Sequence, residues 1–109
     1  MIVYTNNSRF IYKENFVKNN MEYYFKKNKW VFKNDFKSVN KIYKFMSFMT
    51  AISWMTEIAQ NIELNDHHPE WKNIYDKVEV ELSTHDQKKV TEKDLILAKV
   101  MDAAFEKYI

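Results

Sequence analysis

Lys77-Val78-Glu79-Val80-Glu81-Leu82-Ser83-Thr84-His85 alternates apolar and polar residues through most of its length. Side chains along a β-strand project to opposite faces with a period of two. Val78, Val80 and Leu82 therefore share one face, and Glu79, Glu81 and Ser83 the other. A strand apolar on one face only belongs to an antiparallel sheet whose second face is solvated or meets a partner. By parity His85 falls on the Glu79/Glu81 side if the strand extends that far.

On the C-terminal side, Thr91-x-x-Asp94 has the form of a capping pair that opens a helix. Leu95, Ala98, Met101, Phe105 and Tyr108 then recur at helical spacing and face inward. On the N-terminal side, Asp76-Lys77 offers a turn, and the segment Glu70 to Tyr75 before it is short and ambiguous by itself. The polar run Leu64-Asn65-Asp66-His67-His68-Pro69-Glu70 reads as a loop, because Pro69 disfavours helix at the residue before it. Before it, Ser47 suits an N-cap. Phe48, Ile52, Met55, Ala59 and Ile62 follow at i, i+4, i+7, i+11 and i+14, the pattern of a core-facing helix stripe that ends near Asn65-Asp66. Trp30-Val31-Phe32 and Val39 to Phe45 form a hairpin across Asn34-Asp35. Val17, Met21, Tyr24 and Phe25 place a first helix between Glu14 and Lys27, and residues 1–11 have no period and form an N-terminal extension. The order helix, two strands, helix, two strands, helix predicts an α+β domain. It has two layers, a four-stranded antiparallel sheet with three helices on one face, and occupies residues 1–109 as a single unit.

A chain of 109 residues is one domain on size alone. It buries roughly 65% of its unfolded surface, enough for a core without disulfides or metal. The chain has no cysteine, which rules out a disulfide scaffold and a zinc ribbon. A net charge of +2 is too small to argue for nucleic acid or membrane binding. No apolar run approaches the ~18 residues of a membrane span, and Met1 to Asn20 lacks a signal-peptide core. A cytoplasmic location is expected, with a nuclear or organellar one left open. The chain has no glycine, so its turns must use residues that tolerate positive φ, chiefly Asn and Asp. Aromatic residues make up 17% of the chain, more than a small core readily hides. Tyr43 and Phe45 beside Lys44, with Phe36 and Trp54, are expected to add exposed surface and to drive self-association.

All three histidines fall between the second helix and the last. They stand in the array Glu63-x3-His67-His68-Pro69-x5-Tyr75-x9-His85-x8-Asp94. Imidazole is the side chain whose ordinary pKa lies near neutrality, so three of them in one region suit acid–base chemistry on a small molecule. A zinc set built from the three with Glu63 or Asp86 is the competing reading. Adjacent His67 and His68 tend to point apart, however, and no His-x-His or His-x3-His pair places two ligands on one side. No metal is expected.

This array resembles the signature of the pterin-4a-carbinolamine dehydratases: an acidic or polar residue, three spacers, His-His-Pro, an aromatic, a later His and an Asp. Trp30, Tyr43-Lys44-Phe45, Trp54-Met55-Thr56-Glu57 and Leu82-Ser83-Thr84-His85 also fall at offsets similar to the family's, so the likeness covers about residues 22–109. It implies the α+β fold already read from the periodicities. It also implies dehydration of a 4a-hydroxytetrahydropterin to the quinonoid dihydropterin in support of tetrahydrobiopterin recycling, with no cofactor.

By that resemblance His67 and His85 are the acid–base pair, and His68 chiefly positions the substrate. Glu63, Pro69 and Thr84 join the three histidines as binding positions, and Asp86 and Gln87 contribute backbone contacts. Tyr75 and Asp94 complete the motif, Asp94 serving as helix cap or as catalytic partner. The resemblance further implies a homodimer or homotetramer. The alternative it carries is a non-catalytic role as a protein-interaction or dimerisation cofactor of a transcription factor.

Overall fold

The computed structural model describes residues 19–109. The expected N-terminal extension and the start of the first helix lie outside the described residues. Helix α1 is seen over residues 19–27. Then come β1 (Val31–Lys33), β2 (Ser38–Lys44), α2 (Phe48–Asn65), β3 (Glu70–Ile74), β4 (Lys77–Leu82) and α3 (Glu92–Phe105), with a closing 3-10 turn at Glu106–Tyr108. The four strands form one sheet in the order β1-β2-β4-β3, and every pairing is antiparallel. The expected α+β architecture is the one observed.

Register explains the two layers. Val39, Lys41 and Tyr43 pair with Leu82, Val80 and Val78, and Trp71 and Asn73 pair with Val80 and Val78 from the other side. These residues share the inner face. Val39, Tyr43, Val78, Val80 and Leu82 are buried there with Phe25, Trp30, Trp54, Ile58, Leu97 and Met101. Glu79, Glu81, Lys72 and Glu70 occupy the outer face by the same parity. Lys41 is an inner-face lysine that the core tolerates because Asp102 of α3 receives its ammonium at 2.7 Å. Asp102 also accepts hydrogen bonds from Tyr24 (2.7 Å), Trp30 Nε1 (3.0 Å) and Tyr43 (2.5 Å). One carboxylate thus ties α1, β1's approach and β2 to α3, and it satisfies donors that burial would otherwise leave costly.

Three expectations are corrected. The buried face of α2 is Ala51, Trp54, Ile58 and Ile62, whereas Phe48 is 44% exposed and Ala59 is exposed. Both sets fit a helical spacing, share Ile62, and are centred roughly 75° apart at 100° per residue. Trp54 decides between them: its large ring packs on Tyr43 at 4.5 Å, and its Nε1 finds the Met101 carbonyl at 3.2 Å. Secondly, Tyr43, Phe45 and Trp54 are core residues, exposed by 1%, 3% and 0%. The sheet and two helices interlock these rings, so the expected exposed aromatic surface does not exist at those positions. Thirdly, the β3–β4 turn is Tyr75-Asp76, one residue earlier than expected. Positive φ occurs at Asn34, Asp35 and Asp66 but also at Lys29, Phe36, Tyr75 and Lys88. Lys29 takes the place usually filled by glycine after α1, where Trp30 N–H reaches back to the Phe25 carbonyl at 2.8 Å. Without glycine, side chains at such positions must bear the left-handed backbone.

Candidate active site

Pro69 leads the chain into β3, and side chains on either side of it alternate as in the strand. Trp71, Pro69 and His67 face the helix layer, whereas Glu70 and His68 face the outer side. The neighbouring histidines therefore serve different surroundings. His67 Nε2 lies 2.6 Å from Asp94 Oδ1, with 12% of its side chain exposed against 0% for Asp94. His68 Nε2 meets Glu63 Oε2 at 3.3 Å, and both of these side chains are well exposed, at 60% and 80%.

Asp94 is the helix cap expected of it, and it also pairs with His67. As the third residue of α3 it closes a capping box with Thr91, its Oδ2 accepting the Thr91 N–H at 2.9 Å. The same oxygen accepts the Thr84 hydroxyl at 2.8 Å, and the other oxygen faces His67. Thr84 lies on the inner side and is 4% exposed. Its hydroxyl is turned to Asp94 and to Thr91 Oγ1 at 2.6 Å, and Thr84 is not among the residues that line the cavity at this end of the sheet. The parity that sends Ser83 outward sends Thr84 inward.

A cavity of about 300 Å³ opens on the outer side at this end of the sheet, lined by His68, Glu70, Glu81, Ser83 and His85, with Asn34, Lys37, Ser38 and Lys88. β4 ends at Leu82, so His85 is not a strand residue. It belongs to a turn closed by Thr84 N–H to the Lys89 carbonyl at 3.0 Å and Lys88 N–H to the His85 carbonyl at 3.2 Å, which keeps it beside Glu81 and Ser83. The volume is at the lower end for a small-molecule site. Two imidazoles, two carboxylates and two ammonium groups around it can donate and accept protons in one place.

The structure brings together His68 and His85 in this cavity, with His67 on the opposite side of the same loop. Pro69 is half-buried, whereas Asp86 and Gln87 are exposed in the turn after Thr84. Tyr75 is 69% exposed at the far hairpin; β3 and β4 run from that hairpin to the histidine end, so Tyr75 does not line the cavity. Among the described residues no three His, Asp or Glu side chains gather to hold a metal ion. Glu70, Glu81 and Ser83 were missed as lining residues; the shared parity of Glu81 and Ser83 with His85 was legible, whereas the face of Glu70 is set by its pairing with Glu81. The contribution of Asn34, Lys37 and Ser38 had no local signal. It depends on the β1–β2 turn packing beside β4, where Ser83 Oγ donates to the Lys37 carbonyl at 2.6 Å and Val90 N–H to the Phe36 carbonyl at 3.1 Å.

An α+β domain with histidines gathered at one end of its sheet has close relatives. The pattern of the Pterin 4 alpha carbinolamine dehydratase family matches residues 14–104, and the chain belongs to that family. A protein of Rhizobium rhizogenes, provisionally named a pterin-4-alpha-carbinolamine dehydratase, is 45% identical over 69% of this chain and 74% of its own. One of Prochlorococcus marinus, with the same provisional name, is 40% identical over 78% of this chain and 88% of its own. Among solved structures, a transcriptional coactivator/pterin dehydratase from Brucella melitensis superposes with a TM-score of 0.66 at 39% identity, covering 69% of this chain and 80% of that one. A pterin dehydratase-like protein described as a RuBisCO assembly factor of the alpha-carboxysome shares the fold. Its TM-score is 0.61 at 18% identity over 70% of this chain and 88% of that one.

Proposed function

We propose that this protein dehydrates 4a-hydroxytetrahydropterins to the quinonoid dihydropterin and so supports tetrahydrobiopterin recycling. The observation that carries the reading is that His68 and His85 of the family motif line one cavity sized for a small molecule. The reaction breaks the C4a–O bond. A general acid protonates the departing hydroxyl, which leaves as water, and a general base takes the N5 proton. Neutral imidazole and imidazolium interconvert at little cost near pH 7, so histidines can serve in both capacities.

The division of labour is the one that the family resemblance implies, read beside the surroundings of each ring. His67 is oriented by a buried carboxylate, the arrangement that suits proton transfer. His85 faces the cavity and completes the acid–base pair. His68, exposed and held by the exposed Glu63, positions the substrate. Pro69 shapes the loop, and Asp86 and Gln87 offer backbone groups at the cavity rim. The test is an assay of the purified chain on synthetic 4a-hydroxytetrahydropterin with a chelator present. Acceleration over the uncatalysed loss of water is expected. No acceleration, or activity that chelation abolishes and zinc restores, would overturn the reading.

A second reading is an interaction role, favoured by the exposed apolar run Met46 (84%), Phe48 (44%) and Met49 (67%) at the start of α2. The Brucella melitensis relative is described as a coactivator as well as a dehydratase. Partner binding that survives substitution of all three histidines would mark this role as separate from catalysis.

A further inference from the structure

The hydrogen bonds around Asp94 leave one arrangement of protons, and it bears on which atom of His67 can act. Thr91 N–H is a backbone donor that cannot reverse, and it points at Asp94 Oδ2. The Thr84 hydroxyl donates to the same oxygen. Thr84 has then no second proton for its contact with Thr91 Oγ1 at 2.6 Å, so the Thr91 hydroxyl donates to Thr84. Thr91 Oγ1 in turn accepts from Lys93 N–H at 3.3 Å. Each step in this chain is fixed by the one before it. The remaining partner of the carboxylate is His67 Nε2, at 2.6 Å from Oδ1. A carboxylate only accepts, so the proton between them belongs to the ring.

We infer that the Asp94–Thr84–Thr91 network fixes the proton of His67 on Nε2 and leaves Nδ1 as the ring nitrogen free to exchange a proton in turnover. Nδ1 has no hydrogen-bond partner among the described residues. No buried polar side-chain atom among those residues lacks one, so Nδ1 is reached by solvent. Thr84 and Thr91 are positioning residues: they hold the carboxylate, which holds the ring. Thr84 acts through its side chain on Asp94, not on the pterin. Where His67 is the acid, it acts as the imidazolium with protons on both nitrogens, Nδ1–H goes to the departing hydroxyl, and His85 takes the N5 proton. Where His67 is the base, the N5 proton goes to its Nδ1 and His85 is the acid; in either case the Nε2 proton stays on the ring, donated to Asp94.

The role in turnover rests on the proposed dehydration, whereas the tautomer does not, and the test separates the two. Long-range proton–nitrogen NMR correlation of His67, at a pH where the ring is neutral, should show the Nε2–H tautomer in the wild type. Asp94→Asn is nearly isosteric. Thr91 N–H obliges its amide to put the carbonyl oxygen in the Oδ2 place, so the NH2 faces Nε2. The proton should then move to Nδ1. The same variant should lose about 10²–10⁴-fold in kcat, the span of a positioned acid or base, with KM little changed. Thr84→Val keeps the Thr91 N–H contact and should retain the Nε2–H tautomer. An Nδ1–H tautomer in the wild type overturns the inference, and this spectrum alone decides should Asp94→Asn fail to fold. An unchanged tautomer in folded Asp94→Asn also overturns it. A tautomer swap with unchanged kcat would overturn the assignment of Nδ1 to catalysis. Absence of dehydration in the wild type would defeat the functional reading and leave the spectroscopic result standing.

Discussion

His67 and His68 are neighbours in sequence, yet one ring is anchored to a fully buried carboxylate and the other to an exposed glutamate. The difference is one of strand parity: consecutive side chains in extended backbone leave on opposite sides. It gives the two rings separate expected phenotypes. His67→Ala and His85→Ala should each slow dehydration by about 10²–10⁴-fold. Should the two serve opposite faces of the pterin, each single loss will be smaller and the double loss disproportionate. His68→Ala should act mainly on KM, since its ring has no fixed buried partner. Steady-state kinetics of the single and double variants check these outcomes, and a double variant with wild-type kinetics would remove the assignment.

At the scale of elements, helix α2 shows how two candidate faces are resolved. Ile58 is fully buried and the adjacent Ala59 is exposed. Ile58→Ala should therefore lower unfolding free energy by about 2–5 kcal/mol, the range for losing a buried aliphatic side chain. Ala59→Ser should change it by about 0.5 kcal/mol or less. Urea unfolding followed by circular dichroism distinguishes them. Equal effects would place the helix in the rotation read from the Phe48, Ile52, Met55, Ala59 stripe. That stripe is legible in sequence because helical spacing is local. Which of two adjacent stripes packs is set by the partner surface, here the Tyr43 and Phe45 rings against Trp54, with Phe105 against Tyr43.

At the scale of the molecule, the Asp102 cluster couples stability to alkaline pH. Burial, then the charge of Asp102 and its hydrogen bond, push the Tyr43 phenol well above its ordinary value of 10.0. Burial with the Asp102 hydrogen bond does the same for Tyr24. A group whose pKa rises on folding keeps its contribution below the unfolded value and loses it above. Stability should be unaffected by these groups below about pH 10 and fall as pH rises beyond it. The urea midpoint measured across that range should decline, and Tyr43→Phe should flatten the decline. Self-association is the other whole-molecule expectation, now placed on Met46, Phe48 and Met49 in place of the buried rings. An exposed apolar cluster of this kind marks a contact surface. Light scattering at micromolar concentration should give at least a dimer, and Met49→Glu should lower the mass. A monomer throughout the accessible range would remove the expectation.

The strand Lys77–Leu82, the caps Ser47 and Thr91 with Asp94, and the order of elements were all legible in the chain, because periodicity and capping act over a few residues. The histidine array was legible too, since the motif is written in sequence spacing. Other features depended on tertiary structure. The rotation of α2, the burial of Tyr43, Phe45 and Trp54, and the joining of Lys37 and Ser38 to a cavity with His68 and His85 each require segments distant in sequence to meet. So does the pairing of His67 with Asp94, 27 positions away. Local spacing specifies which residues can share a face. Packing of separate faces, with its demand that buried donors and charges find partners, decides which of them do.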